Sequence, residues 1–354
     1  MVGAEGLGKT TLTAQLAGNN LLDDEDTYLM FIDAEISMLT DDSKNRFLDI
    51  LPFKYTKETH DIYLDDNLLY IDGKERGVIL PIETYNELYD EINNFAKFLI
   101  DNKKKGIIIW DSLTQLTTEE MQKGSKQLGV KAKYIQLIID TYNSTFYKIP
   151  ITLYVINQIR AKLVINPFIG KDKSEGDMSD IDFSITGGYA HRFIAFQSLV
   201  LVKGRKYKYP KSGDNTVIDG KIVEFHLKKN KFGRSDNILN MVFIPEIGFS
   251  DILTSLHYFE EDGLIKSANF IKVERITGNK SYKLIPFVEE LLSNNELMEK
   301  FIEFTYYYFV DKLKSKDKVL TEDKMNYFKE KIAIDCNKLL FYLSQRENVL
   351  ELEE

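Results

Sequence analysis

The residues with the plainest chemistry stand at the start of the chain, where Gly3, Gly6 and Gly8 precede Lys9, Thr10 and Thr11. Their spacing satisfies G-x-x-x-x-G-K-[ST], a loop whose glycines let backbone N–H groups converge on phosphate. In such a loop Lys9 brings positive charge to the β- and γ-phosphates of ATP, and the Thr10 hydroxyl ligates Mg2+. Residues 11–17 read as a helix closed by Gly18, with its N-terminal dipole toward the phosphates. Two apolar runs then deliver acids. Residues 28–33 end at Asp33, and Glu35 follows two positions later, placed to orient or deprotonate an attacking water. Residues 107–111 end at Asp111, which suits the water shell of Mg2+, an ion that takes oxygen ligands and keeps several waters.

The elements that position these groups alternate. Apolar strands are expected at 28–33, 107–111 and 151–156, the last closed by Asn157 and Gln158. Between them, Leu88, Ile92, Phe95 and Leu99 recur at helical spacing, as do Ala132, Ile135, Ile139 and Tyr142. Strands alternating with helices predict an α/β fold with a mainly parallel sheet and a site at the strands' carboxyl ends. A turn is expected at Asp72-Gly73, and the rest of 40–82 gives no clear pattern. Residues 160–187 are a long polar segment, of a length that is functional or disordered inside a compact domain. Strands at 197–203 and 221–231 flank a basic hairpin with Lys203, Arg205, Lys206, Lys208 and Lys211, and another strand spans 239–244. From residue 249 the pattern turns helical: 249–262 capped by Gly263, a hairpin-like stretch over 264–284, then helices over 286–314 and 320–346. These patterns divide the chain into a core of residues 1–248 and a smaller, mostly helical domain of 249–354.

Composition narrows the function classes. The chain has 354 residues, 44% of them hydrophobic, enough for a sizeable core. A net charge of −9 gives no global attraction to nucleic acid or anionic membrane, so any DNA site must be a local basic patch. The single Cys336 excludes an internal disulfide and fits a reducing cytoplasm, and the four histidines lack metal-ligand spacing. No apolar run approaches a membrane span, so a soluble cytoplasmic protein without a membrane partner is expected.

Several of these blocks, taken in order, resemble the RecA recombinases and their phage UvsX-type relatives. The loop through Thr11, the Phe31-Ile-Asp-Ala-Glu35 strand end, Ile109-Trp-Asp-Ser-Leu113 and Val155-Ile-Asn-Gln-Ile-Arg160 are similar to that family's successive ATP-site segments. Thr186-Gly-Gly-Tyr-Ala190 resembles the end of its second DNA-binding loop, and Lys228-Lys-Asn-Lys231 its lysine pair. The resemblance covers about residues 1–265. It implies a RecA-like P-loop core with ATP and Mg2+ as cofactors, in which Glu35 is the catalytic carboxylate, Asp111 a metal-holding acid and Gln158 a γ-phosphate sensor. Lys229 and Lys231 would complete the ATP site of a neighbouring subunit. Loops at 114–127 and 160–187 would grip DNA through Lys123, Lys126, Arg160, Lys162, Gly187, Gly188 and Arg192. Phe47 is the candidate aromatic for stacking on adenine.

The activity so implied is ATP-dependent DNA recombination and repair: a helical filament of this chain on single-stranded DNA pairs with homologous duplex and exchanges strands. Loader or single-strand-binding proteins are further partners. The alternatives are a hexameric DNA helicase on the same fold, or a non-hydrolysing mediator that binds DNA or a partner recombinase. Only Met1 and Val2 precede the loop, where the family has an oligomerisation segment and a central strand. The expectation is therefore that Met1 is internal to a longer product, or that a separate polypeptide supplies the missing part.

Overall fold

The computed structural model describes residues 1–38, 40–113, 115–118, 130–146, 149–158, 195–209, 218–267 and 269–352. Its centre is set by two strands that are apolar along nearly their whole length, β2 (Thr27–Asp33) and β6 (Lys105–Asp111). A strand that must be covered on both faces belongs inside a parallel sheet, and these two pair in parallel with Asp33 opposite Asp111. They lie in a six-stranded sheet of order β3-β4-β5-β2-β6-β7, with β3 (Ile62–Asp65), β4 (Leu68–Ile71), β5 (Lys74–Pro81) and β7 (Ile151–Val155).

A second six-stranded sheet has the order β12-β11-β10-β9-β1-β8. Its members are β1 (Val2–Gly3), β8 (Asn157–Gln158), β9 (Gln197–Tyr209), β10 (Ile218–Asn230), β11 (Asn237–Ile244) and β12 (Gly248–Ser250). One residue separates the two sheets. Ile156 donates its N–H to Trp110 O of β6 at 2.9 Å, while Asn157 N–H turns to Met1 O at 2.8 Å. Val2 and Gly3 pair in parallel with β8 on one side and β9 on the other, and the Met1 ammonium donates to Val155 O at 2.7 Å. The expectation of a mainly parallel sheet holds for the strands around β2 and β1. The β3-β4-β5 and β9-to-β12 flanks are antiparallel, each strand pairing with the next along the chain.

Helices cover both faces of the first sheet, which makes this part a layered α/β structure. On one face α1 (Lys9–Asp23) and α2 (Asp41–Ile50) bury Ala14, Ala17, Leu21 and Phe47 against Leu29, Phe31, Ile107 and Ile109. On the other, α3 (Tyr85–Asn102) and α4 (Val130–Phe146) pack Leu88, Ile92, Phe95, Ile135 and Ile139 against Met30, Ile108 and Trp110. The stretch 40–82 is regular after all. Thr40 caps α2 by accepting from Ser43 N–H at 3.2 Å, a short 3-10 turn spans Pro52–Tyr55, and Asp72 (φ 53°) and Gly73 (φ 73°) form the turn into β5.

Gly18 does not end α1, which runs on to Asp23. Its lack of a side chain serves packing instead: a Cβ there would stand 2.5 Å from Pro52 Cδ and 2.9 Å from Leu51 Cδ2.

After β12, α5 (Asp251–Glu261) is capped by the Ser250 hydroxyl, which accepts from Leu253 N–H at 3.2 Å. The 264–284 stretch is not a hairpin. It holds one isolated Ile271–Tyr282 bridge and the short α6 (Glu274–Thr277). The expected helix over 286–314 is two, α7 (Leu284–Ser293) and α8 (Asn295–Lys312). Asn294 separates them and caps the second through Leu297 N–H at 3.2 Å. The last helix, α9, spans Glu322–Leu352. One apolar cluster runs from Tyr207, Ile222 and Val242 of the second sheet into Phe259, Phe287, Phe301 and Leu339 of these helices. Among the described residues no helix is long and apolar enough to cross a membrane.

Candidate active site

The loop between β1 and α1 places the first set of groups. Gly6 (φ 69°) and Gly8 (φ 77°) take left-handed backbone that side chains disfavour, and a Cβ at Gly8 would press into the Phe243 ring at 2.5 Å. With this curl, Ala4, Glu5 and Gly6 are exposed at the loop's crest while Lys9 is buried beneath it. Lys9 Nζ donates to Ala4 O at 2.7 Å, spanning the loop from within. Burial lowers the Lys9 pKa, and the charges of Asp111, Glu35 and Glu5 oppose that shift. Thr11 follows within the first turn of α1.

The carboxyl ends of β2 and β6 supply the acids. Thr10 Oγ1 donates to Asp111 Oδ2, so the hydroxyl and the carboxylate expected to share a metal already converge. Burial is the main reason that the Asp111 carboxyl is pushed up to about 6; the Thr10 bond and Lys9 pull the other way. A hydroxyl beside a buried carboxylate is a donor set that fits Mg2+ with its retained waters. The peptide from Asp111 to Ser112 is cis.

Asp33 has a different task. Its Oδ1 accepts from Ser37 N–H at 3.0 Å and from the Ser37 hydroxyl at 3.1 Å, and its Oδ2 accepts from Met38 N–H at 2.7 Å. These bonds tie down the turn that carries Glu35, which is exposed, and Ile36, which has φ 54°. An isoleucine in left-handed backbone is rare and is held there only by surrounding contacts. Gln158 sits beside the loop between β1 and α1 because β8 pairs Gln158 with Gly3. Its side-chain amide donates to Glu35 Oε1 at 2.6 Å.

The structure therefore groups Gly3, Gly6, Gly8, Lys9, Thr10, Thr11, Glu35, Asp111 and Gln158 around the carboxyl ends of β1, β2 and β6. It does not bring Lys229 and Lys231 there. Gly3 pairs with Leu201 and Leu201 with Phe225, whereas Lys229 pairs with Ser198, away from the loop. At roughly 3.3 Å per residue, Lys229 lies on the order of 13 Å along β10 from that pairing, toward the opposite end of the sheet. Phe47 is ruled out as a base-stacking surface, because it is 1% exposed and its ring packs edge-on against Phe31. Lys123, Lys126, Arg160, Lys162, Gly187, Gly188 and Arg192 lie outside the described residues. In the basic hairpin, Arg205 is engaged by Glu261.

One neighbour of the site escaped the sequence reading. Lys221 Nζ donates to Gly6 O on the outer side of the loop and lies 5.3 Å from the Phe243 ring centre. Burial, followed by repulsion from Lys203, lowers its pKa. No local signal marks Lys221, since it reaches the loop only through the pairing of β10 with β9 and of β9 with β1.

A scan of protein-family models matches none to this chain, and a comparison with curated proteins finds no match.

Proposed function

We propose that this chain is an ATP-dependent DNA recombinase with a RecA-like core, assembling on single-stranded DNA and pairing it with homologous duplex. One observation carries the reading. A phosphate-type loop, a Thr10–Asp111 pair and a Gln158–Glu35 pair meet at the carboxyl ends of adjacent parallel strands. That is where open α/β sheets bind ligands.

The residues divide the work as follows. The open N–H groups at the start of α1 and the Lys9 ammonium hold polyphosphate, with Lys9 moving from Ala4 O to a phosphate oxygen. Thr10 and Asp111 hold Mg2+. Bound ATP with Mg2+ supplies the phosphoryl group and the charge neutralisation for its transfer. Glu35 orients a water and accepts its proton, once Gln158 has turned its amide from the carboxylate to the γ-phosphate. Lys229 and Lys231 act on the site of an adjacent copy, where a cation stabilises charge that develops in the transition state. Hydrolysis is thereby linked to assembly.

The test is ATP hydrolysis by the purified chain with and without single-stranded DNA, alongside Lys9→Ala and electron microscopy of the assemblies. Stimulation by DNA, its loss in Lys9→Ala and open filaments are expected. Rings that unwind forked DNA would establish the helicase instead, and binding without turnover the mediator. Hydrolysis that neither DNA nor Lys9→Ala alters would end the proposal.

A further inference from the structure

The loop between β1 and α1 is seated on the second sheet. Leu7, within the loop, is 3% exposed and packs with Leu201, Val223, Phe225 and Phe243. Phe243 of β11 lies against the next residue, since a Cβ on Gly8 would stand 2.5 Å from its ring. Lys221 of β10 pairs with Phe243 across the ladder, so both side chains rise on the same face of the sheet. The Lys221 ammonium lies 5.3 Å from the Phe243 ring centre and donates to Gly6 O. Two lysines therefore hold carbonyls of one loop: Lys9 donates to Ala4 O from within, and Lys221 to Gly6 O from the side of the sheet. Lys9 belongs to the phosphate-loop spacing, whereas Lys221 arrives from a strand more than 200 residues along the chain.

The consequence lies in the peptide group between Gly6 and Leu7, which is trans. Such a peptide is planar, and its C=O and N–H point in opposite directions. A cation that holds Gly6 O toward β10 therefore turns Leu7 N–H the other way, into the curl that Lys9 spans. Gly6 has φ 69° and no side chain, so the backbone alone does little to fix this plane. Burial of the Leu7 side chain fixes one end of it, and the Lys221 bond fixes the carbonyl at the other. A charge on the carbonyl side also polarises the peptide, which strengthens Leu7 N–H as a donor.

We infer that Lys221 is a positioning residue of the nucleotide site, fixing the Gly6–Leu7 peptide so that Leu7 N–H faces the β-phosphate. The identity of the ligand rests on the ATPase reading above; the restraint on the loop does not. Anions are gathered by successive N–H groups that converge, and one peptide turned over removes a donor and presents a carbonyl oxygen instead. The phosphate loop is thus completed by β10, which reaches it through β9, and the second sheet takes part in binding.

The experiment uses the full chain with Lys221→Met, which keeps the stem and removes the charge, and Lys221→Arg, which keeps a cation. Binding of ATP and of ADP, each with Mg2+, is measured by calorimetry, and amide hydrogen exchange of the Met1–Thr11 segment is followed without nucleotide. Lys221→Met should bind ATP and ADP alike about tenfold more weakly, since one bond to a charged acceptor is lost. KM for ATP should rise by a similar factor while kcat moves far less, and Lys221→Arg should recover most of the affinity. Without nucleotide, exchange over the segment should quicken several-fold in Lys221→Met. Lys221→Gln, which keeps a donor without the charge, should fall between the two and replaces Lys221→Met if that variant melts early. Loss confined to ATP overturns the inference, because Lys221 would then act on the γ-phosphate itself. So does unchanged exchange with unchanged affinity. Quickened exchange in a chain whose parent binds no nucleotide leaves the loop restraint standing and ends the ATPase reading.

Discussion

Gln158 donates its side-chain amide to Glu35 Oε1 at 2.6 Å, so the carboxylate proposed to prepare water is held by the residue proposed to sense phosphate. The bond joins β8, which borders the loop between β1 and α1, to the turn after β2. A carboxylate that accepts from this amide has one oxygen less for water. On the proposed ATPase reading the resting site is restrained, and release of Gln158 would arm it.

Separate substitutions should separate the two roles. Glu35→Gln removes the proton acceptor and should lower kcat by about 10²-fold or more while nucleotide binding persists. Gln158→Ala frees the carboxylate and should raise hydrolysis without DNA several-fold while flattening the response to DNA. Steady-state ATPase rates with and without oligonucleotide distinguish these outcomes. Equal loss of basal and stimulated rates in Gln158→Ala would show that the amide serves only to support the site.

Asp33 holds the turn that carries Glu35. Losing its bonds to Ser37 and Met38 should destabilise the chain by about 2 kcal/mol, since bonds to a charged acceptor contribute about 1.5–3 kcal/mol. Asp33→Ala should also lower kcat more than it raises KM for ATP, because Glu35 is no longer oriented. Asp33→Asn, which keeps one oxygen acceptor, should recover part of both. Urea unfolding and ATPase kinetics on the same preparations provide the check; stability loss with unaltered kcat would separate the turn from catalysis.

Much of the crevice was legible because its residues act locally. The loop spacing, the acids at the ends of β2 and β6 and the polar pair after β7 are each written within a few consecutive residues. What escaped depends on distant pairing. Lys221 meets Gly6 only across three strands, and the partnership of Gln158 with Glu35 needs both sheets in place. Asp33 reads as a strand-end acid like Asp111. Its caps on Ser37 and Met38 are a matter of three-dimensional direction. Phe47 failed as a base-stacking candidate because α2, hidden in an uninformative stretch, turns it into the core. The break at Asn294 was missed for another reason: apolar spacing continues through it, and only the cap on Leu297 reveals two helices.

Gly18 offers a direct packing test. A terminating glycine would tolerate alanine, and alanine inside a helix is ordinarily favoured by about 1 kcal/mol. Here the added Cβ would meet Pro52 Cδ at 2.5 Å and Leu51 Cδ2 at 2.9 Å. Gly18→Ala should therefore destabilise the chain by about 1–3 kcal/mol, the usual range for overpacking. A denaturation midpoint that rises instead would mean the Pro52–Tyr55 turn can shift away.

The junction between α9 and the start of α5 should give stability an unusual pH profile. Asp335 is buried there with Lys338, close to the charge of Asp251, and its Oδ2 accepts from the Ser250 hydroxyl at 2.9 Å and from Ile252 N–H at 2.8 Å. Burial, reinforced by the Asp251 charge, pushes the Asp335 carboxyl up from 3.8 to about 7. Burial pulls the Lys338 ammonium, which donates to Ile50 O at 2.8 Å, down from 10.5 to about 8. Between the unfolded and folded values of Asp335, the folded chain holds the extra proton. Its contribution is therefore present at low pH and lost as pH rises toward 7. For Lys338 the unfolded chain holds the extra proton above about 8, so stability returns as pH climbs toward 10.5. Asp335→Asn keeps the shape and removes the acid-side titration. Its advantage over the parent should grow by about 1–3 kcal/mol between pH 5 and pH 7.5. Chemical unfolding of both proteins across that range decides the matter, and parallel profiles would show that Asp335 is already ionised in the folded chain at pH 5.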